Sequence, residues 1–417
     1  MANYKSFDLL NKLYFVRTGG SDMELKAANI ILDEIKSLGG SGHLEEFLVD
    51  GYTIHESKLV FKNPDMEIDC VGVGQSSSTP AEGLSAEFIY ITSYDDAKIK
   101  NPSGKICLVH SKIVNYKLYE LLVKRGAKGL ILCTGSVYTE NENVDLDPYM
   151  YRERHYKFGK IPAVCIRMKD AEKVLRLMPK EAAITVIQDE MKNKSHNVVA
   201  TIPGSDLKDE IVSFTAHYDS VSYSKGAYDN ATGSATIMQM FAYFMENKPR
   251  RTLKFIWCGS EEMGLLGSKA YCSMHKEELD NYLLSINVDM TGVTIGYDLA
   301  ECSSEMGLVS FIKYLGYIEG FSIESKQGVY SSDSTPFADS GVPSVSFARL
   351  APSGGAKIHS HDDVIDYLSE DNYYRTCDFI ASFASKLINA QAFPVDRTIP
   401  EKVKNDLDIY LGRKERS

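Results

Sequence analysis

The chain has 417 residues, 44% of them hydrophobic and 25% charged, with a formal net charge of −11. That length exceeds what one small core organises and predicts two domains in a globular protein. The acidity leaves no basic surplus to neutralise phosphates, so no nucleic-acid partner is expected, and it favours cationic groups such as peptide amines. No apolar run approaches the roughly 18 residues of a membrane span, so no membrane partner is expected either. The opening stretch lacks the apolar core and small-residue cleavage site of a secretory leader. Eight cysteines, scattered singly, read as free thiols. A cytoplasmic location is therefore expected, or secretion where a leader has been removed.

In chain order, Leu9, Leu10, Leu13 and Phe15 form a helical pattern, and Glu24 to Leu38 an amphipathic helix stopped by Gly39-Gly40. Residues 65–190 have a different texture. Short β-rich runs (AEFIYI, KICLVH, KGLILC, IPAVCI, AITVI) alternate with helical ones (YKLYELLVKRG, KDAEKVLRLM). That is a complete smaller α/β domain, inserted between residues 1–64 and 191–417, which together form the other domain. In the last stretch, NVVATI leads to four largely apolar runs at 210–216, 252–258, 283–288 and 343–348. Runs apolar throughout are strands buried on both faces, so the fold class is α/β, a mainly parallel mixed sheet sandwiched by helices.

Ligands of such sheets bind beyond the carboxyl ends of the strands. There the sequence places His217-Tyr218-Asp219, then a loop to Gly226-Ala227-Tyr228-Asp229-Asn230-Ala231-Thr232-Gly233. The next strands end in Gly259-Ser260-Glu261-Glu262 and in Asp289, and the fourth leads to His359-Ser360-His361-Asp362-Asp363. Each group alone is ordinary: a polar turn, a solvated glutamate pair or an N-cap. Four successive strands ending in such groups describe a site. Imidazole and carboxylate together suit zinc. Two metals are readily held by one bridging carboxylate, and Asp229 lies in a glycine-flanked turn where the backbone can approach closely. Glu261 and Glu262 point apart on leaving their strand, so one can ligate while the other moves a proton.

The string H-x-D, G-A-x-D-N-A-[ST]-G, E-E-x-G-L-x-G-S, strand-end Asp and I-H-[ST]-x-x-D resembles the aminopeptidase Y family, co-catalytic two-zinc exopeptidases related to glutamate carboxypeptidase II. The resemblance covers the third stretch throughout and implies the zinc exopeptidase fold. Residues of roughly 65–190 resemble the protease-associated (PA) domain inserted in several members, with a lid or a packing module as its expected role. Carried over, His217 and Asp289 hold one zinc, Glu262 and His359 the other, and Asp229 bridges the two ions. Glu261 is the general base, and Asp219 accepts a hydrogen bond from His217. His361 is the alternative to His359. Ile358 stands where some relatives carry a tyrosine, which leaves the electrophilic partner open to Tyr330, and Asn230 is expected to brace its turn.

The resemblance implies an aminopeptidase acting on peptides with a free N-terminus, with a homodimer left open. The alternative is a carboxypeptidase of the glutamate carboxypeptidase II type, for which Arg349 would grip the substrate carboxylate. A single-zinc glutaminyl cyclase and a non-catalytic receptor-like relative are disfavoured by the full ligand set.

Overall fold

The computed structural model describes residues 4–147 and 149–414. They form two compact units, one of the residues up to Val49 together with those from Lys194, the other Asp50–Asn193. Each division falls inside a long strand, Gly42–Lys62 or Glu181–Ile202, rather than in a polar linker.

In the first unit the sheet runs in the order Ile323–Gln327, Tyr297–Ser303, Ser344–Leu350, Tyr282–Val288, Leu207–His217, Arg251–Cys258 and the end of Glu181–Ile202. The four strands from Ser344–Leu350 to Arg251–Cys258 are mutually parallel. Antiparallel neighbours flank them, Tyr297–Ser303 on one side and Val198 to Ile202 on the other. The sheet is therefore mixed with a parallel centre.

Alternation along Arg251–Cys258 shows why the strands are apolar throughout. Leu253, Phe255 and Trp257 enter one core while Ile256 and Cys258 enter a smaller one on the opposite face. The larger core takes the apolar stripes of helices Asp22–Ser37, Thr232–Glu246, Met306–Glu319 and Glu370–Ile388. Phe337 of the short helix Ser334–Asp339 and Tyr271 and Cys272 of Leu266–Met274 fill the smaller one. Ser21 caps Asp22–Ser37 by accepting from the Glu24 N–H, 3.1 Å.

The second unit has four parallel strands, Leu84–Ile91, Ile106–Val109, Gly129–Thr134 and Ala163–Arg167, with buried clusters that take alternate residues of these strands. Helices Tyr116–Lys124 and Met168–Leu177 stand where the sequence places them. Three strands lack a sequence signal. Gly42–Lys62 alternates exposed charges with half-buried positions, and neither Tyr297–Ser303 nor Ile323–Gln327 carries a continuous apolar run. Among the described residues no helix is long and apolar enough to cross a membrane.

Candidate active site

Three neighbouring parallel strands bring the predicted groups to one end of the first unit's sheet. His217 is the last residue of its strand, Asp289 follows Tyr282–Val288, and Glu261 and Glu262 are the third and fourth residues after Arg251–Cys258. Asp229 lies in the turn Ala227–Ala231, before the helix Thr232–Glu246. That helix packs closely beneath the turn, because a side chain at Gly233 would meet Asn230 Oδ1 and the Val288 carbonyl, each at 2.3 Å.

The side chains form two clusters of metal-ligating type, His217 with Asp229 and Asp289, and Asp229 with Glu262 and His359; in each, one atom per residue lies within 4.8 Å of the others. Asp229 is common to both. Its Oδ1 lies 3.2 Å from His217 Nε2, and its Oδ2 lies 3.1 Å from His359 Nε2. Asp289 Oδ1 is 3.5 Å from His217 Nε2, and Glu262 Oε2 is 3.1 Å from His359 Nε2. Glu261 joins neither cluster, and neither does His361, whose Nε2 lies 3.4 Å from Asp362.

Around these, the turns are held by buried polar groups. Asp219 has Oδ1 3.4 Å from His217 Nδ1, but the hydrogen bonds it accepts come from the backbone N–H groups of Glu261 and Glu262, at 3.0 and 3.2 Å. It thereby fixes the carboxylate pair as well as standing behind the imidazole. Asn230 braces its turn as expected. It donates to the Val288 carbonyl at 3.0 Å and accepts from the N–H groups of Gly233 and Met290 at 2.8 and 3.0 Å.

Further residues serve the site, and of these Arg17, Glu24 and Asp333 carry no local signal in the sequence. Asp363, fully buried, accepts from the N–H groups of Tyr228 and Asp229 at 2.7 and 3.1 Å. Arg17, also fully buried, donates to the carbonyls of Leu13, Phe15, Tyr218, Lys225 and Gly226. Glu24 accepts from the Ser195 and Ser260 hydroxyls and the Gly20 N–H. Asp333 is fully buried with neither oxygen in a hydrogen bond, and burial raises it to about 6. The Tyr330 hydroxyl is likewise buried without a hydrogen-bond partner, and burial, reinforced by Asp289, Tyr228 and Asp229, pushes it well above the usual phenol range.

Arg349 is already engaged. Its Nη1 lies 2.6 Å from Asp298 Oδ2, and its Nε donates to the Val293 carbonyl at 2.8 Å.

The electrostatics are those of a crowded anionic pole. Burial raises Glu261 well above the carboxylate range, with Glu262, Asp333 and Asp289 adding to it and His217 opposing. Burial, followed by Asp229, lifts Glu262 to about 7. Burial also acts on Asp229, yet His217 and His359 outweigh it and hold that carboxyl low. Both imidazoles go the other way. Burial alone would lower them, but Glu261, Asp219, Asp229 and Asp289 raise His217 well above its usual range, and Asp229 and Glu262 raise His359 to about 11. Arg17, lowered to about 10 by burial, stays cationic beneath the cluster, steadied by Asp219, Asp363, Asp229 and Glu262. Asp289 Oδ1, buried, accepts no hydrogen bond. A mixed imidazole and carboxylate set with surplus negative charge and an orphaned buried oxygen fits a pair of divalent cations.

A mixed sheet with two metal-ligating clusters sharing one carboxylate beyond its strand ends defines a co-catalytic metallo-exopeptidase. The sequence comparisons agree: residues 197–384 match the family described as Peptidase family M28. Among curated proteins, it is 26% identical over 391 residues to carboxypeptidase Q of Bos taurus, covering 87% of this chain and 80% of that protein. It is 25% identical over 418 residues to aminopeptidase YwaD of Bacillus subtilis (strain 168), covering 96% and 87%. Its fold is similar to that of BSAP, a zinc aminopeptidase from Bacillus subtilis, with a TM-score of 0.77 at 23% identity over 95% of this chain and 98% of that one. An aminopeptidase from Aneurinibacillus sp. strain AM-1 gives 0.75 at 22% identity, covering 94% and 95%.

Proposed function

We propose that the protein is a zinc-dependent aminopeptidase that removes the first residue of peptides with a free N-terminus. One observation carries the two-metal site: the Asp229 carboxylate turns one oxygen to the His217 cluster and the other to the His359 cluster. His217 and Asp289 would hold one zinc and Glu262 and His359 the second, with Asp229 common to both sets. When bound, such a pair polarises a carbonyl and makes a water acidic. Glu261 takes the proton from the attacking water and delivers it to the departing amine. Its raised pKa suits a group that must hold a proton between the two steps. Asp219 keeps both glutamates in place through their backbone N–H groups. The Tyr330 hydroxyl, with no partner of its own, donates to the charge developing on the scissile carbonyl oxygen in place of the tyrosine that Ile358 replaces. Tyr330→Phe is expected to lower kcat by roughly tenfold to a hundredfold with KM little changed in steady-state assays.

The carboxypeptidase reading needs a cation free to grip a substrate carboxylate. Arg349 is spent on Asp298 and the Val293 carbonyl, which supports the aminopeptidase. The acidic pole also favours a substrate ammonium over a carboxylate. Residues 65–190, which fall within the unit Asp50–Asn193, are read as the protease-associated-like insertion. The eight free cysteines, seven of them buried, support a reducing, cytoplasmic location.

The deciding experiment is hydrolysis of a short peptide panel with free or acetylated N-termini, before and after chelation and zinc return. Chelator-reversible cleavage confined to the free-amine peptides is expected. Release of C-terminal residues from the acetylated set would overturn the aminopeptidase reading.

A further inference from the structure

The first unit's sheet ends at Ile323–Gln327, which pairs with Tyr297–Ser303 on one side and, among the described residues, with no strand on the other. Its residues IESKQ alternate between half-buried and exposed, with Glu324 and Lys326 on the exposed face. The Gly328 N–H donates inward to the Cys302 carbonyl at 3.0 Å. By the alternation of a strand, the N–H and C=O groups of Ile323, Ser325 and Gln327 therefore point outward, away from the sheet.

Such an edge invites pairing, and this one is self-complementary. In an antiparallel match about a two-fold axis through Ser325, Ser325 faces its own copy and Ile323 faces Gln327. Those are the residues whose backbone groups point outward, so about six hydrogen bonds form across the axis. Glu324 then stands opposite Lys326 twice over, the opposite-charge arrangement that favours a cross-strand pair. Lys326, half-exposed, lies 3.3 Å from Glu301, a contact it can share. The strip itself is neutral, one Glu and one Lys, and salt screens the remaining negative charge of the chain beyond about 8–10 Å.

The helix Met306–Glu319 lies against this strand, since a side chain at Gly316 would meet Ile323 Cγ2 at 3.0 Å. Its outer face carries Met306, Tyr314, Tyr317 and Ile318, which are 52%, 64%, 73% and 81% exposed. A two-fold axis perpendicular to the sheet keeps both copies' helices on the same face and sets them side by side. An apolar, tyrosine-rich stripe of this kind suits an interface core.

We propose that two copies of this chain associate through antiparallel pairing of Ile323–Gln327 about Ser325, flanked by the tyrosine-bearing faces of Met306–Glu319. A second copy is the fitting occupant because the same sequence reversed satisfies both strand register and charge order. The site residues lie on other strands, so peptidase activity serves as the folding control.

The test is the mass in solution by light scattering or sedimentation for the wild type, Glu324→Lys, Lys326→Glu and their mixture. The wild type is expected at twice the chain mass. Each single variant places like charges opposite one another and is expected to weaken the dimer by roughly tenfold or more. Mixing the two variants restores opposite charges at both positions and is expected to restore the dimer. A wild type of single-chain mass at about 100 μM overturns the proposal. So does a dimer indifferent to both substitutions, or a mixture of weakened variants that fails to reassociate.

Discussion

Both units are α/β and both have a parallel strand followed or ended by histidine, yet only one of the two is built for chemistry. In the first unit His217 is buried and faces Asp219, Asp229 and Asp289. In the second, His110 follows Ile106–Val109, is exposed, and meets the Tyr90 hydroxyl at 3.2 Å. The buried polar residues differ in the same way. The first unit buries Arg17, Glu24, Asp219, Asp229, Asp289, Asp333 and Asp363, whereas the second buries mainly uncharged groups such as Gln75, Gln188 and His155. Shared architecture brings strand ends together. Concentrated charge, held by cations and backbone N–H groups, makes them a site.

The sharpest break of that contrast is Glu261→Gln. It is expected to lower kcat by about 10²–10⁴-fold with two zinc ions still bound, checked by kinetics beside metal analysis. Arg17→Met comes next. It leaves the carboxylates above it without their buried cation, and a loss of about 3–5 kcal/mol in denaturant unfolding is expected. Glu24 supplies a pH signature. Burial, then Asp219, raises it to about 8 in the fold, so the native state holds a proton that the unfolded chain has released. The stability this gives is full below the ordinary carboxyl value near 4.5 and is lost as pH rises to about 8. The slope is at most about 1.4 kcal/mol per pH unit. Glu24→Gln should flatten that fall in melting experiments between pH 5 and 9. The smallest effect is expected from His110→Ala, within about 0.5 kcal/mol of wild type and with unchanged turnover.

Much of the site was legible because its residues follow strands that are apolar on both faces, which marks where each strand stops. His217, Glu261, Glu262 and Asp289 are read off in that way. His359, preferred in the sequence over His361 by its place in the I-H-[ST]-x-x-D pattern, is the one that joins the cluster of Asp229 and Glu262. Arg17 and Glu24 were not legible. The partners that bury them in the site lie about 170 to 240 residues away, and an isolated arginine before a helix or glutamate in its first turn looks like any surface charge. Asp363 stood inside a quoted motif, but its task, accepting two N–H groups of the Asp229 turn, depends on a contact across 134 and 135 residues. The edge strand Ile323–Gln327 has one large apolar residue, too little for a pattern.

Arg17 also sets a timetable. The cation emerges from the ribosome 201 residues ahead of Tyr218, whose carbonyl it will hold, and at common rates of synthesis that is a wait of roughly ten to forty seconds. All of Asp50–Asn193, a compact unit of its own, is made in the interval, while the opening helices remain without the strands they pack on. The nascent chain therefore completes its interruption before its sentence, and the peptidase cannot assemble its charge centre until the last third of synthesis has begun.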